Sequence, residues 1–433
     1  MQNLRLESID LEITTNCNMA CSYCYASIDK KDLVRGDMSN ETIEQVLDLI
    51  VKYGYPKAVQ GEKGMNKKPT IVTFYGGEPL LAFERIKYFV ERSKERGMEL
   101  SFSALSNGTI ANEEMVKWFK DNKIWVQRSL DGCPEAQEKY RPNSIKKYEE
   151  ATKIWKDFES SRRMTVQPEF AKLLIKSLRY FESQGFCRGL SPMPNFYIEW
   201  TEEQMQDFEK SLWQLGEYYI KCWNEGRPFY CYYFSREMIF RFLEPHKTYW
   251  GCGGARGLHC ITWDGQITIC HRFSREKPES VFYFGTIKEV LDGNAKGYGE
   301  EVLKKASMHE AGLRKDWADK CKDCIAQYSC EKGCMHTNFI CTGNINTPPE
   351  LYCRIRRTSA RVVTILDSKL RCKDPDWWTR GNYLAQDYAR RKQTPEYLVA
   401  RLGEAVLRVD ALKRQLEGGK NGLQKCNSNQ GKQ

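Results

Sequence analysis

Read for its hydrophobic and polar positions, the first half of the chain alternates between two periods. Short β-rich runs recur at 8–15 (SIDLEITT), 70–77 (TIVTFYGG), 100–107 (LSFSALSN), 123–130 (KIWVQRSL), 163–168 (RMTVQP) and 187–194 (CRGLSPMP). Runs of helical period lie between them, clearest at 40–54, 82–97 and 169–185. Strands alternating with helices imply a parallel sheet with right-handed crossovers. The six strand-like runs predict an α/β fold, a partial (β/α)6 barrel of TIM-like type, with chemistry at the carboxyl ends of its strands. The polar, basic stretch 57–69 reads as a mobile loop.

Beyond residue 200 the pattern changes. Residues 201–250 read as helical and aromatic, with FEKSLWQLGEYYIKCW the clearest run. From Cys252 to Cys353 the chain is rich in cysteine and in loops, and needs metal to fold. Residues 395–416 again have helical period, with Thr394 as cap and Pro395 in the first turn. Leu402, Ala405, Val409, Leu412 and Leu416 give that helix one apolar seam. The expected organisation is a barrel over 1–200, a helical bridge over 201–250, a cysteine-rich domain over 251–360, a basic helical segment over 361–417 and a disordered tail over 418–433.

Size and charge narrow the classes. A chain of 433 residues can bury one large domain and a smaller one. No apolar run approaches a membrane span, and the start lacks a signal-peptide pattern, so a soluble, cytoplasmic protein is expected. The net charge is +10, and the segment from Arg354 onward, with 18 Lys and Arg against 8 Asp and Glu, accounts for all of it. A basic tail suits nucleic acid or an acidic peptide.

Eighteen cysteines in such a chain argue for metal ligands rather than disulfides. Cys17, Cys21 and Cys24 fall within TTNCNMACSYCYAS, just after a strand. A closed zinc site takes four ligands, yet the next cysteine is Cys133 and no histidine lies near. Three thiolates on one loop suit a [4Fe–4S] cluster with one iron open to a chelating cofactor. A second array holds Cys321, Cys324, Cys330 and Cys334 as C-x2-C-x5-C-x3-C, with Cys252, Gly265 and Cys270 upstream and Cys353 downstream. A pair of zinc ribbons would need two regular CxxC pairs, and this region has one. LHCITWDGQITIC reads as a hairpin turning at Asp264-Gly265. A two-residue turn points Cys260 away from Cys270; a three-residue loop reverses this. Cys133, Cys187, Cys222 and Cys231 read as ordinary buried thiols.

The pattern Cys17-x3-Cys21-x-Tyr23-Cys24 resembles the signature of radical S-adenosylmethionine (SAM) enzymes. The resemblance implies that SAM chelates the open iron. It also implies that one electron from an external donor cleaves SAM to a 5′-deoxyadenosyl radical, which takes a hydrogen atom from the substrate. By the same resemblance Tyr23 lies beside the adenine. YGGEP resembles the family's glycine-rich motif, so Gly76 and Gly77 let the backbone approach the methionine ammonium and Glu78 pairs with it. SNGT adds Asn107 to the cofactor site, and SLDGCPEAQEKYRP adds Ser129 at the ribose and Arg141 at the SAM carboxylate. Asp131 caps the turn in this reading.

The later array resembles the SPASM extension of one branch of that family. The resemblance implies two auxiliary [4Fe–4S] clusters, three clusters in all. One would use Cys321, Cys324, Cys330 and Cys353, with Cys341 a weaker substitute for the last. The other would use Cys252, Cys270 and Cys334, with Cys260 the candidate fourth ligand or an iron left open. In anaerobic sulfatase-maturating enzymes, which form formylglycine, an aspartate follows the cysteine matching Cys270; here His271 stands there, a candidate base. CHRF resembles instead maturases of ribosomally made peptides, which crosslink or epimerise residues or excise a tyramine unit in the splicease branch. The expected function is therefore radical SAM maturation of a precursor peptide. A sulfatase-maturating enzyme is the alternative, and a metal-bearing nucleic-acid binder the alternative of another class. The cluster loop begins 17 residues from Met1, so a leader peptide is expected to need a separate recognition protein or the basic segment after Arg354.

Overall fold

The computed structural model describes residues 4–25, 34–54, 69–156, 158, 160–185, 189–227, 229–243, 252–304, 319–321, 323–327, 329–375 and 377. The 395–416 helix, the tail, Cys187 and most of the 57–69 loop lie outside them. The chain divides into two units, Met1–Pro375 and Asp376–Gln433. Every element named below belongs to the first.

The alternation of periods becomes alternating strands and helices. In chain order these are β1 (Ser8–Thr14), α1 (Asn40–Tyr53), β2 (Thr70–Gly76), α2 (Phe83–Glu95), β3 (Leu100–Ser106), α3 (Glu113–Asp121) and β4 (Trp125–Ser129). They continue with α4 (Pro134–Tyr140), α5 (Ile145–Ile154), β5 (Ser160–Val166) and α6 (Leu174–Ser183). Local chemistry sets their ends: Ser39 caps α1 by accepting from Thr42 N at 3.0 Å. Lys123, at φ 55°, delays β4 by two residues from its expected start. The expected sixth strand splits into β6 (Gly189–Leu190) and β7 (Pro192–Pro194), because two prolines without N–H donors cannot sustain a longer ladder. β6 pairs with β8 (Tyr230–Cys231) in a separate small sheet. The helical bridge holds α7 (Glu202–Asn224), started by a Thr201–Gln204 capping box, and α8 (Tyr232–Met238).

The cysteine-rich region is continuous with the main sheet. Its strands β9 (Leu258–Ile261), β10 (Gln266–Thr268) and β11 (Tyr283–Thr286) extend the main sheet, which α9 (Ile287–Asp292) follows. The order is β11-β10-β9-β1-β2-β3-β4-β5-β7, nine strands with two free ends. β9 pairs parallel with β1, which covers an edge that would otherwise present unpaired backbone groups. The expected boundary at 360 also falls inside a single helix, Glu350–Leu370. That helix packs on α7: a Cβ at Gly216 would sit 2.6 Å from Val362 Cγ1, and Arg354 pairs with Glu202 and Glu209 at 2.6 Å each.

Alternation gives the sheet two unlike faces. Ile9, Leu11, Ile13, Val72, Phe74, Ala104 and Val126 turn outward and pack with Ile43, Val46, Leu47, Ile86, Phe89 and Phe119 of the helices. Registers pair Asp10 with Thr73 and Cys260, Glu12 with Tyr75, Leu105 with Gln127, and Ser129 with Arg163. That second, inner face is therefore mostly polar.

Candidate functional site

The first cysteine loop leaves the carboxyl end of β1 and is held against the end of β2. Thr14 O accepts from Gly77 N at 2.9 Å, and Asn16 O from Glu78 N at 2.7 Å. A Cβ at Gly76, whose φ is 145°, would lie 1.8 Å from Thr14 O, and one at Gly77 2.2 Å from Asn16 O. These glycines are thus required by the chain's own close approach, a reason the sequence reading did not supply.

Cys17, Cys21 and Cys24 share one electrostatic neighbourhood. Burial, then the neighbouring Glu78 and Cys24 charges, push the Cys17 thiol up; burial, with Cys24 and Cys17 adding, pushes Cys21 up to about 11. Asn107 Nδ2 approaches Cys17 Sγ at 4.0 Å and Arg141 Nη1 approaches Cys21 Sγ at 3.8 Å. Three crowded thiols facing an amide and a guanidinium fit a cluster that takes them as thiolates.

The expected SAM contacts converge beside this loop. Glu78 is buried, accepts from Leu80 N at 3.1 Å and Asn107 N at 2.6 Å, and is pushed up to about 7 by burial. Arg141 Nε donates to Asp131 Oδ2 at 2.8 Å, and the same carboxylate takes the Tyr23 hydroxyl. The Arg141 guanidinium lies 5.3 Å from the Tyr23 ring centre. Thr165 N donates to Asp131 Oδ1 at 3.0 Å. Asp131 is thus the partner of Arg141 and Tyr23, not merely a turn cap. Its place in "SLDG", at the end of a strand, was the available signal.

The later cysteines fall into two neighbourhoods. Cys270 is buried and pushed up by burial and by the charges of Cys334 and Cys252. Cys330 is pushed up mainly by burial, with Cys321 and Cys324 adding, and Cys353 is pushed up to about 11 mainly by burial, with Cys330 adding. Cys341 donates to Phe196 O at 3.1 Å and neighbours Cys334. Among the described residues no three His, Cys, Asp or Glu side chains converge as ligands of a single ion. Cys133, Cys222 and Cys231 are buried, as expected of ordinary thiols.

The hairpin closes with the three-residue loop. Thr262 N donates to Gln266 O and Gly265 N to Thr262 O, both at 2.9 Å, and Gly265 takes φ 83°. Cys260 therefore pairs with Thr268. Asp10 is an electrostatic neighbour of both Cys260 and Cys270. Cys260 Sγ itself lies 2.9 Å from the Tyr75 hydroxyl. His271 Nδ1 is 2.6 Å from Asp10 Oδ2, with the Tyr75 and Tyr25 rings 5.6 and 5.9 Å from its own. Arg275 forks onto Glu12, buried beside Asp10 on the inner face. Sequence reasoning missed Asp10 and Glu12, although acids at alternate positions of a strand marked a polar face.

The radical SAM superfamily model matches residues 11–170, from β1 to just past β5. Residues 11–170 are a radical SAM domain. Over 349 residues it is 26% identical to a cysteine-type anaerobic sulfatase-maturating enzyme of Clostridium novyi, covering 74% of this chain and 85% of that one. The solved structure of anSMEcpe with bound AdoMet aligns at a TM-score of 0.62 and 18% identity, over 84% of this chain and 99% of that one. Streptococcus suis SuiB bound to the precursor peptide SuiA aligns at 0.50 and 15% identity, over 81% and 76%. The radical SAM domain accounts for SAM and one [4Fe–4S] cluster as cofactors, and the shared architecture extends well past residue 170. Among the described residues no helix is long and apolar enough to cross a membrane.

Proposed function

We propose that this radical SAM enzyme modifies a peptide or protein substrate enclosed at the polar inner face of its sheet. The observation that carries the reading is the convergence of Cys17, Cys21, Cys24, Glu78, Asn107, Arg141 and Tyr23 at one end of the strands. The cluster and SAM, when bound, supply a 5′-deoxyadenosyl radical. Cys17, Cys21 and Cys24 hold the cluster. Gly76 and Gly77 bring the backbone to the methionine end, Glu78 takes the ammonium, Arg141 the carboxylate, Ser129 the ribose, and Tyr23 flanks the adenine. Cys252, Cys270 and Cys334 hold one auxiliary cluster, with Cys260 on the same side of the hairpin. Cys321, Cys324, Cys330 and Cys353 hold the other.

Two reactions fit about equally. In this reading His271, with Nδ1 2.6 Å from Asp10 Oδ2, takes a proton from the substrate, and Asp10 on β1 stands in for the carboxylate absent after Cys270. This favours formylglycine formation as in the sulfatase-maturating relatives, while SuiB bound to its precursor peptide supports crosslinking or excision in a ribosomally made peptide. Mass spectrometry of candidate substrates, treated anaerobically with SAM and dithionite, separates them. Loss of two hydrogens with no hydrazide-reactive aldehyde indicates a crosslink, and loss of a tyramine mass indicates splicing. A hydrazide-reactive product indicates formylglycine. Absence of any 5′-deoxyadenosine would overturn both readings.

A further inference from the structure

The chain entering the first cysteine loop is braced on two sides before it reaches Cys17. On one side stand Gly77 and Glu78, as described above. On the other runs the segment 35–38, just ahead of α1. Thr15 N donates to Gly36 O at 2.9 Å, Gly36 N to Thr15 Oγ1 at 2.7 Å and Met38 N to Ile13 O at 2.9 Å. Arg35 Nη1 reaches Thr15 O at 3.2 Å. Asp37 Oδ1 accepts from Thr14 Oγ1 at 2.5 Å and from Asn16 Nδ2 at 3.1 Å, and Thr14 Oγ1 accepts in turn from Asn16 N at 3.0 Å. The same segment meets a side chain from much later in the sequence. A Cβ at Gly36 would lie 2.5 Å from Trp263 Cζ3 and 2.9 Å from both Cε3 and Cη2, so the indole rests directly on the Gly36 backbone. Trp263 sits in the loop between β9 and β10, and that loop is itself fixed. Ile261 pairs with Leu11 of β1, Thr262 N donates to Gln266 O, and Ile287 N donates to Gly265 O, the last two at 2.9 Å.

From this geometry we infer that Trp263 and Asp37 are positioning residues for the cluster that binds SAM. The indole backs the segment 35–38, and the segment fixes residues 14–16, which lead directly into Cys17. The inference rests on the assignment of Cys17, Cys21 and Cys24 to that cluster. Its basis is steric and short-ranged. Only a residue without a side chain lets the indole come so close to the backbone at position 36. Close-packed groups shift rather than compress, so one methyl added or one ring removed at this contact moves the segment. The hydrogen bonds onto Thr15 and Asp37 carry the movement to the start of the loop. The later region of the chain thereby governs how the first cysteine loop leaves β1, through a contact that involves none of the later cysteines.

The test uses the anaerobically reconstituted full chain and two readouts besides turnover. SAM affinity is read by titrating the change that SAM makes in the EPR signal of the reduced protein. Amide exchange of residues 13–16 is read by mass spectrometry. Trp263→Ala should weaken SAM binding about tenfold and speed the exchange, since a small displacement of a binding group carries a penalty of this order. Trp263→Phe should restore most of both. Asp37→Ala should weaken SAM binding about fivefold, whereas Asp37→Asn, whose carbonyl still accepts from Thr14 and Asn16, should leave it unchanged. Gly36→Ala should resemble Trp263→Ala, and Gly36→Ala combined with Trp263→Leu, which makes room for the methyl, should recover part of the loss. Trp118→Ala is the control for stability, an equal truncation on α3 where the ring packs edge-on against Phe83 and Phe119. It should lower the melting temperature and leave SAM affinity as it was. Iron content of each variant verifies that it folds. Unchanged SAM affinity in Trp263→Ala and Asp37→Ala, with only their melting temperatures lowered, would overturn the inference, because the contact would then be packing alone. An equal loss of affinity in Trp118→Ala would overturn it as well. A wild type whose EPR signal does not respond to SAM would instead overturn the cofactor reading.

Discussion

At the scale of single residues, Glu78 is a carboxyl held near neutrality by its burial, with two backbone N–H groups as partial compensation. Its folded pKa, about 7, is raised from 4.5. The stability it contributes is therefore full below pH 4.5 and is lost as pH rises through about 7. Glu78→Gln should melt less pH-dependently than the wild type between pH 5 and 8 and lie above it at pH 8, as thermal scans can show. SAM binding should behave oppositely: affinity for SAM should rise through pH 7 in the wild type and be about tenfold weaker and flatter in the variant, by calorimetry. Asp131 carries a different load. It is the carboxylate of a buried ion pair and accepts from Tyr23 and Thr165 besides. Asp131→Ala should lower stability by about 3–5 kcal/mol in urea unfolding, because Arg141 is then left buried without a partner. The residues legible beforehand, the cysteines with Glu78, Asn107 and Arg141, sit in short motifs whose spacing is itself the signal. Asp10 was not legible as a site residue, since strand register between distant segments is what brings it to the same face as Cys260.

At the scale of elements, the site depends on how closely β1 and β2 approach. Gly76→Ala would place a methyl on Thr14 O and force a residue with a side chain to φ 145°. It should cost the protein its first cluster, seen as a loss of roughly a third of its iron, more readily than it abolishes folding. Gly265→Ala is milder, since its Cβ meets only side-chain atoms at ordinary contact distance but must adopt φ 83°. A loss of about 1 kcal/mol is expected by chemical denaturation. The five strands before residue 167 and the helices α1, α2 and α6 were legible because each obeys one period over most of its length, whereas α3, α4 and α5, only seven to ten residues long, were not named beforehand. The addition of β9, β10 and β11 to the same sheet was not legible. Those segments are three or four residues long, and the pairing of β9 with β1 joins positions some 250 apart, which no local pattern encodes. The hairpin's loop length was equally silent: Asp264-Gly265 suits a two-residue turn, and the Thr262–Gln266 closure decided for three.

At the scale of the whole molecule, the cysteine-rich segment is a continuation of the barrel's sheet, so the inner face is lined by both. This explains how His271 and Arg272, far along the chain, meet Asp10, Tyr25 and Tyr75. It also brings Tyr25, which follows Cys24 of the first cysteine loop, against His271 and Arg272, which follow Cys270. The central claim is that the first loop generates the radical and the later cysteines hold further clusters. The most direct measurement is iron, sulfide and 5′-deoxyadenosine determined together on anaerobically reconstituted protein and on a variant with Cys17, Cys21 and Cys24 all changed to Ala. The account predicts about twelve iron and twelve sulfide per wild-type chain, about eight in the variant, and 5′-deoxyadenosine from the wild type alone. Zinc without labile sulfide, or SAM cleavage that survives in the triple variant, would contradict it.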